Sequence, residues 1–428
     1  MADATTRRLA GCRQSPNNTV KKPVMTAATL KGRPQTLTLT FLCQSTQAIS
    51  LAGFPLLLPL IRHDLTLTFS QAGSLASASL LIYAFMQIPA GYLSDLHSPR
   101  KLVAIGTLGI MGTSALLAFT HQYWHLLGIQ LLWGFFGSFV FTPAMSVYIS
   151  WFSSKHRTTA TALPIVGPSL GIVAVNLLFP VIAIHYDTWR LPFVASGLVG
   201  MIIALGLLMF GKEASSRRTP EKFRPDMIRE LFRHKQVWLC YILQFIRFGI
   251  VQGIGFWLPS LLVNEKGFQL QMAGTVIALQ AIVIAPSNIL GAYFSDRFQK
   301  PTLVIGVSMF MLAITTGLLV NLTSMALIIV VLFVNAMFVQ MYFGPLFTLA
   351  VEKLGPEKTG ISNGISNMFA IFGGLVTAYL MGVLRDTTAS FTWGFYSISI
   401  LSIIGLILTF VVHKVRKAGS PRVSLTQS

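Results

Sequence analysis

The sequence predicts an all-α membrane protein with twelve spanning helices arranged as two six-helix bundles. The 428-residue chain is 53% hydrophobic and only 11% charged, whereas a soluble globular protein carries about 25% charged residues. Its long uncharged runs recur from about residue 36 to about residue 412 and are not confined to one anchor. Most of the chain is therefore expected to fold in lipid.

The apolar runs have the length of membrane-spanning helices, since about 20 residues at 1.5 Å per residue cross a hydrocarbon core of about 30 Å. The twelve predicted segments are 36–61, 71–93, 101–120, 123–150, 157–183, 190–210, 237–262, 271–294, 302–320, 323–350, 359–383 and 391–413.

These segments define a domain organisation. The N-terminal bundle is predicted at 36–210 and the C-terminal bundle at 237–413. Between them lies a basic polar stretch, 211–236, which is interpreted as a cytoplasmic linker, or alternatively as a segment held at an anionic membrane surface. The tails are residues 1–35 and 414–428.

Charge asymmetry predicts the orientation of the helices. Of the 32 Lys and Arg residues, only Arg62, Arg190, Lys266 and Arg385 fall in the loops opposite the termini, and Arg247 falls inside a segment. Because positive residues stay on the cytoplasmic side, both termini are expected there, and the expected location is a bacterial inner membrane.

The first 35 residues are basic and carry no pattern of a folded segment. A disordered tail is the favoured interpretation. A transit peptide, or translation from Met25, would also fit this composition.

Several classes of function are disfavoured. The net charge of +19 sits in clusters between apolar runs, so no nucleic-acid partner is expected. Cys12, Cys43 and Cys240 show neither metal-ligand spacing nor a disulfide framework. No metal and no cofactor are predicted. An enzyme is not expected, because no acid, base or nucleophile cluster converges within the membrane.

A short element is repeated in the two halves. The run A-G-Y-L-S-D ends the second segment at Asp95, and G-A-Y-F-S-D ends the eighth at Asp296. A duplicated six-helix unit is typical of secondary transporters, in which two bundles move about a central site.

These residues resemble the major facilitator superfamily, whose loop between helices 2 and 3 carries G-x-x-x-D-R-x-G-R-R. The chain departs from that pattern at Leu96, Ser98 and Pro99, and it has Ala292 and Gln299 at the second-half glycine positions. The resemblance implies alternating access and a conformational gate whose ion pair locks the outward-facing state. The matching gate residues are Gly91, Asp95, Arg100, Asp296, Arg297 and Lys300.

Segment 5 contains Gly167, Pro168 and Gly171, a run similar to part of the G-P-x-x-G-G element of the family's drug and metabolite antiporters. Ile172 stands at the final glycine position. The element predicts a bent helix that shapes the cavity. It also keeps open the alternative of an exporter of neutral or amphipathic compounds.

Arg247 is the one ionisable side chain well inside a segment, because all 13 acidic residues fall in tails, loops or segment ends. Such a charge costs about 2.5–3.5 kcal/mol on insertion scales, and arginine cannot lose its proton to avoid that cost. A substrate carboxylate or phosphate is the predicted partner, because guanidinium binds it through two parallel hydrogen bonds. The alternative is that backbone carbonyls near Gly249 and Gly253 satisfy Arg247, or that its side chain extends along the cavity toward water.

In this respect the chain resembles the organic-anion and phosphate-ester branches of the family, where an arginine on helix 7 contributes to anion recognition. Segment 1 offers no second cation, so a monocarboxylate or a polar conjugate is favoured over a doubly charged phosphate. The other residues predicted to bind substrate are Gln244, Gln252, Gln44, Gln47, Gln130, Asn363 and Asn367.

The sequence thus predicts a secondary active transporter that moves a small, carboxylate-like organic anion as a symporter or antiporter. A proton or a counter-anion is the expected coupling partner, and a monomer is the expected state. A sensor that binds solute without carrying it remains a second alternative.

Overall fold

The computed structural model describes residues 27–151, 157–213, 235–351 and 356–418. Twelve spans within these ranges are long and apolar enough to cross a membrane, which confirms the predicted fold class. The helices are α1 (Ala27–Leu65), α2 (Phe69–Leu96), α3 (Pro99–Leu117), α4 (Tyr123–Trp151), α5 (Arg157–His185), α6 (Arg190–Phe210), α7 (Lys235–Asn264), α8 (Leu270–Phe298), α9 (Pro301–Asn321), α10 (Met325–Met341), α11 (Phe343–Val351), α12 (Pro356–Thr388) and α13 (Thr392–Ala418).

The tenth span differs from its predicted single run, because it is divided into α10 and α11 at Tyr342. Tyr342 has φ −93° and ψ 0°, outside the helical region. Pro345 follows three residues later and has no N–H to donate to the preceding turn, which weakens the helix at this point.

The helices begin where local chemistry supplies a cap. Thr68 and Gln71 form a reciprocal capping box at the start of α2, which satisfies backbone donors that would otherwise have no partner. Ser98 caps α3, and Pro99 occupies its first turn, where a missing N–H costs nothing.

The six spans of each half pack in matching pairs. In the first half α1 packs against α5, α2 against α4 and α3 against α6. In the second half the corresponding pairs are α7 with α12, α8 with α10 and α9 with α13. The duplication visible in the sequence is therefore a duplication of helix packing.

Glycines make the closest of these pairs possible. A Cβ atom on Gly171 of α5 would collide with the backbone oxygen of Ser45 in α1. At the corresponding pair in the second half, a Cβ atom on Gly373 of α12 would collide with the backbone oxygen of Phe245 in α7. Small residues at such positions allow close backbone packing of membrane helices.

Two faces of the molecule serve as a frame of reference. The near face holds the start of α1 and the end of α13. The far face holds the opposite loops, which are 66–68, 118–122, 186–189, 265–269, 322–324 and 389–391. The halves meet through α2 with α12, α5 with α8 and α1 with α7.

Replacement of Gly134 by alanine is expected to destabilise the N-terminal bundle, because the new Cβ would collide with the Ser79 backbone oxygen. Overpacking of this kind costs about 1–3 kcal/mol. Gly128→Ala on the same helix is the matched control, since nothing lies within 4 Å of its Cβ position. Thermal unfolding of the two purified variants checks this, and equal melting temperatures would contradict the packing assignment.

Candidate functional site

Arg247 lies in the middle of α7 and is 4% exposed. Its Nε donates a hydrogen bond to Gln244 Oε1 at 2.6 Å. The guanidinium carbon lies 4.9 Å from the ring centre of Phe343 and 5.6 Å from that of Phe248. Aromatic faces stabilise a cation at these distances, but they do not neutralise it.

The terminal nitrogens of Arg247 have no hydrogen-bond partner among the described residues, and no described acid lies within ion-pair distance of them. Backbone carbonyls near Gly249 and Gly253 do not take up this charge in the described part of the chain. The arrangement is that of a fixed cation with unused donors.

Two further polar atoms beside Arg247 are buried without a partner, namely Gln244 Nε2 and the hydroxyl of Tyr342. Both residues are 0% exposed, and Tyr342 directly precedes Phe343, whose ring lies against Arg247. A buried polar group without a partner costs about 1–3 kcal/mol. Polar groups that stay unpaired at this cost in the empty protein are candidates for contact with a ligand.

A pocket with about 30 Å³ of enclosed space lies on the far-face side of Arg247, and Arg247 is not among the residues that line it. Gln252 lines it, five residues beyond Arg247 and so about 7.5 Å further along the α7 axis. Most of its lining comes from the first half of the chain. The lining residues are Ser50, Leu51, Phe54, Pro55, Ala76, Ser79, Leu80, Thr113, Leu117, Ile129, Gln130, Trp133, Gln252 and Phe256.

The structure thus brings Gln130 and Gln252, one from each half, to a single cavity. Trp133 also lines it and donates from Nε1 to Ser50 Oγ at 2.9 Å. Sequence reasoning did not select this Trp–Ser pair, because neither residue carries a charge and their helices are far apart along the chain.

The other predicted binding residues lie elsewhere. Gln44 Oε1 accepts a hydrogen bond from Tyr148 at 2.9 Å, and Gln47 Nε2 donates to the Gly137 backbone oxygen at 3.2 Å. Both contacts join α1 to α4. Asn367 is half-buried on α12, and the side chain of Asn363 lies outside the described residues.

The predicted gate residues lie at the near face, and their ion pair stays a prediction. Arg100 donates from Nη1 to the backbone oxygens of Leu207, Leu208 and Gly211 at 2.9, 3.0 and 2.6 Å. It therefore caps the C-terminal end of α6. The side chain of Asp95 lies outside the described residues.

In the second half, Asp296, Arg297 and Lys300 are exposed. Gln299, which stands at a glycine position of the family pattern, has φ +53°. That left-handed conformation is the one glycine adopts most easily, so the backbone of the motif is kept although the glycine is absent.

Helix α5 passes through Gly167, Pro168 and Gly171 as one continuous helix. Ser45 donates its hydroxyl to the Gly167 backbone oxygen at 2.8 Å, so this element holds α5 against α1. The predicted bend stays a prediction.

Asp386 joins the two halves at the far face. Its carboxylate, at the end of α12, accepts from the backbone N–H of Phe69 at 2.9 Å and of Ser70 at 2.6 Å. The hydroxyl of Ser70 also donates to it. Because these groups form the N-terminus of α2, the negative charge is stabilised by the helix dipole as well.

Charged and aromatic side chains enclose this contact. Arg62 and Arg385 lie over the ring of Phe69, with Cζ 3.2 and 4.7 Å from its centre. Glu265 accepts from the Phe391 backbone N–H at 2.7 Å and pairs with Arg385 at 3.3 Å. We call the group Asp386, Ser70, Phe69, Arg385 and Glu265 the far-face latch.

Contacts between α2 and α12 continue from the latch toward the middle of the membrane. Ser77 donates to the Leu375 backbone oxygen at 2.8 Å, and Phe85 meets the edge of Phe372. Gly91, further toward the near face, has nothing within 4 Å of its Cβ position. Among the described residues, these contacts between α2 and α12 join the halves from the far face to the middle of the membrane.

Replacement of Asp386 by asparagine is expected to loosen the far-face latch, because it removes a charge from hydrogen bonds worth about 1.5–3 kcal/mol each. A cysteine introduced at Ser77 should then react with a maleimide about tenfold faster. The same protein without that cysteine gives the background rate.

Asp187→Asn is the matched control, since Asp187 is an exposed far-face acid outside the latch. It should leave labelling unchanged. If Asp386→Asn behaves like Asp187→Asn, the latch does not hold the halves together.

Twelve spans in two repeated bundles, with a cavity lined by both, are the architecture of a membrane transporter. The sequence profile of the Major Facilitator Superfamily matches residues 40–376. The chain belongs to that superfamily, as its repeated motif predicted, and it is an integral multi-pass membrane protein.

Curated relatives and a solved structure agree with this. The probable galactarate/D-glucarate transporter of Bacillus subtilis is 24% identical over 77% of this chain and 81% of its own length. The hexuronate transporter of Escherichia coli K12 is 22% identical, over 83% and 88%. A bacterial homologue of the lysosomal transporter Spinster, crystallised inward-facing and unoccupied, superposes with a TM-score of 0.77 at 16% identity, over 91% of this chain and 99% of its own.

Proposed function

We propose that this protein is a secondary active transporter of a small organic anion that carries a carboxylate. The observation that supports it is the buried guanidinium of Arg247, whose terminal nitrogens have no partner among the described residues. A carboxylate would accept two parallel hydrogen bonds from it and neutralise its charge.

The cavity suggests what the rest of the substrate is like. Hydrogen-bonding side chains from Gln130, Gln252, Ser50 and Trp133 line it together with apolar ones. Gln252 lies about 7.5 Å along the helix axis from Arg247 and about 140° around it. A hydroxylated carboxylic acid would hydrogen-bond to the cavity side chains through its hydroxyls.

The relatives named for galactarate/D-glucarate and for hexuronate support this class of substrate. These relatives are named for two kinds of substrate, dicarboxylates (galactarate and D-glucarate) and hexuronates. The single buried cation among the described residues favours a hexuronate, which has one carboxylate. Arg247 is the only cation at this depth in the described part of the chain, so a second carboxylate would be left without a partner.

The direction of opening fits alternating access. We assign the near face to the cytoplasm of a bacterium, because most Lys and Arg residues lie on that side. With the far-face latch closed, the cavity would then exchange with the cytoplasm. The gate residues Asp95, Arg100 and Asp296 would meet their partners when the near face closes.

The residues around Arg247 also limit which ion can be coupled to transport. No described acid lies in the middle of the membrane near Arg247, so a carboxylate relay is not available there to carry a proton. Exchange of one anion for another, or entry of a proton with the substrate, satisfies the charge balance. We propose that the protein works as a monomer.

An exporter of neutral or amphipathic compounds is the second candidate. The observation that favours it is the cavity lining, which is largely apolar and includes Phe54, Phe256 and Trp133. Such an exporter would lower drug accumulation in a pump-deficient host, whereas a carboxylate transporter would not.

Arg247→Gln is expected to abolish uptake of radiolabelled D-glucuronate into proteoliposomes while the protein still inserts. Loss of one partner of a buried charged hydrogen bond costs about 2–5 kcal/mol, so affinity should fall at least ~30-fold. Arg247→Lys should also fail to restore full affinity, because an ammonium lacks the planar fork.

Arg190→Gln is the matched control. Arg190 pairs with Asp64 at 2.8 Å at the far face, away from the cavity, and its loss should leave uptake intact. Wild-type rates of D-glucuronate uptake in Arg247→Gln would exclude the anion-binding role of Arg247.

A further inference from the structure

The unused hydrogen-bonding atoms around Arg247 have one chemical character. Arginine can only donate, so the atom of Gln244 that faces Arg247 Nε must be its oxygen. The free end of that amide is therefore its NH₂ group, which is buried without a partner. Arg247 and Gln244 together offer donors and no free acceptor.

The hydroxyl of Tyr342 is the third unused group. It is buried without a partner, and Tyr342 is adjacent in the chain to Phe343, whose ring centre lies 4.9 Å from the guanidinium carbon of Arg247. A phenol can donate or accept, and Arg247 and Gln244 offer only donors to a ligand. Toward a ligand between them, the hydroxyl is available as a donor.

The backbone at Tyr342 is held in place. A Cβ atom on Gly291 of α8 would collide with the Met341 backbone oxygen, so α8 packs directly on the break between α10 and α11. The Tyr342 carbonyl accepts from Leu346 N–H at 3.1 Å. The adjacent ring of Phe343 lies 4.9 Å from the guanidinium carbon and shields one side from water.

We propose that Tyr342 is a further ligand of the transported anion and that it completes, with Arg247 and the amide of Gln244, a clamp made of donors alone. This rests on the proposed function and deepens it. The clamp is matched to an oxyanion, which accepts hydrogen bonds and donates none. It disfavours an amide at the same place, whose NH₂ would face three donors.

The clamp also explains why an unpaired hydroxyl is buried at this point. Without substrate the hydroxyl is a cost to the fold, and with substrate it forms a charge-assisted hydrogen bond. Removing it should therefore weaken binding without weakening the protein. A purely structural tyrosine would behave in the opposite way.

The test uses the full-length protein purified in detergent, with D-glucuronate and its neutral amide D-glucuronamide as probes. In Tyr342→Phe, the dissociation constant for D-glucuronate should rise roughly tenfold or more. The preference for D-glucuronate over D-glucuronamide should shrink with it. The melting temperature without ligand should stay the same or rise.

Tyr241→Phe is the matched control on α7. Its hydroxyl is already bonded to Ser362 at 3.0 Å, so its loss should leave D-glucuronate affinity unchanged and the unliganded melting temperature the same or lower. Unchanged affinity in Tyr342→Phe would overturn the proposal. So would a lower melting temperature accompanied by an unchanged preference for the anion.

A second variant keeps the test decisive if Tyr342→Phe is not recovered as folded protein. Gln244→Glu should pair with Arg247, fill the clamp internally and abolish D-glucuronate affinity. Retained affinity in that variant would overturn the clamp. If Arg247→Gln abolishes binding but Tyr342→Phe does not change it, the clamp fails and the transported class stands. If the wild-type protein binds no D-glucuronate, both fail.

Discussion

A guanidinium in the middle of a membrane protein must be neutralised by something, because it keeps its proton at any pH the protein meets. Arg247 has aromatic faces and one amide oxygen around it, and none of the described acids. This arrangement costs stability in the empty protein. It is explained if an anion from outside supplies the missing charge for part of the transport cycle.

The fold turns that local constraint into movement. Arg247 belongs to the second half, and most of the cavity lining beyond it belongs to the first half. A ligand that touches both halves lowers the free energy of conformations in which they are close, which is how substrate binding can shift a conformational equilibrium. The far-face latch opposes one direction of that shift. Its bonds run from Asp386 to the first residues of α2, so they break only when the two halves separate at that face.

Much of this architecture could be predicted from the sequence, because the signals are local. The length of the apolar runs predicted the twelve spans, and the repeated Y-[LF]-S-D predicted the duplication. Arg247 was identified because it is the one charge inside an apolar run. The latch could not be predicted. Asp386 lies at a segment end, where a carboxylate usually meets water, and its partner Ser70 is separated by 316 positions.

Other features depend on how the helices pack and could not be predicted from the sequence. A motif arginine predicts an ion pair, but Arg100 reaches the carbonyl end of α6, a contact that depends on how α3 and α6 pack. Tyr342 in an apolar run is more often a contact between helices than a ligand. Only the burial of its hydroxyl without a partner distinguishes the two roles. Gln299 has the left-handed backbone conformation typical of the glycine it replaces, and a glutamine at this position does not predict that conformation.

The central claim is that the substrate anion sits on Arg247, and an experimental structure of the protein bound to D-glucuronate tests it most directly. The account predicts a carboxylate with both oxygens about 2.7–2.9 Å from the terminal nitrogens of Arg247 and the sugar body toward Gln252. A carboxylate bound in the cavity away from Arg247, with Arg247 still bonded only to Gln244, would contradict it.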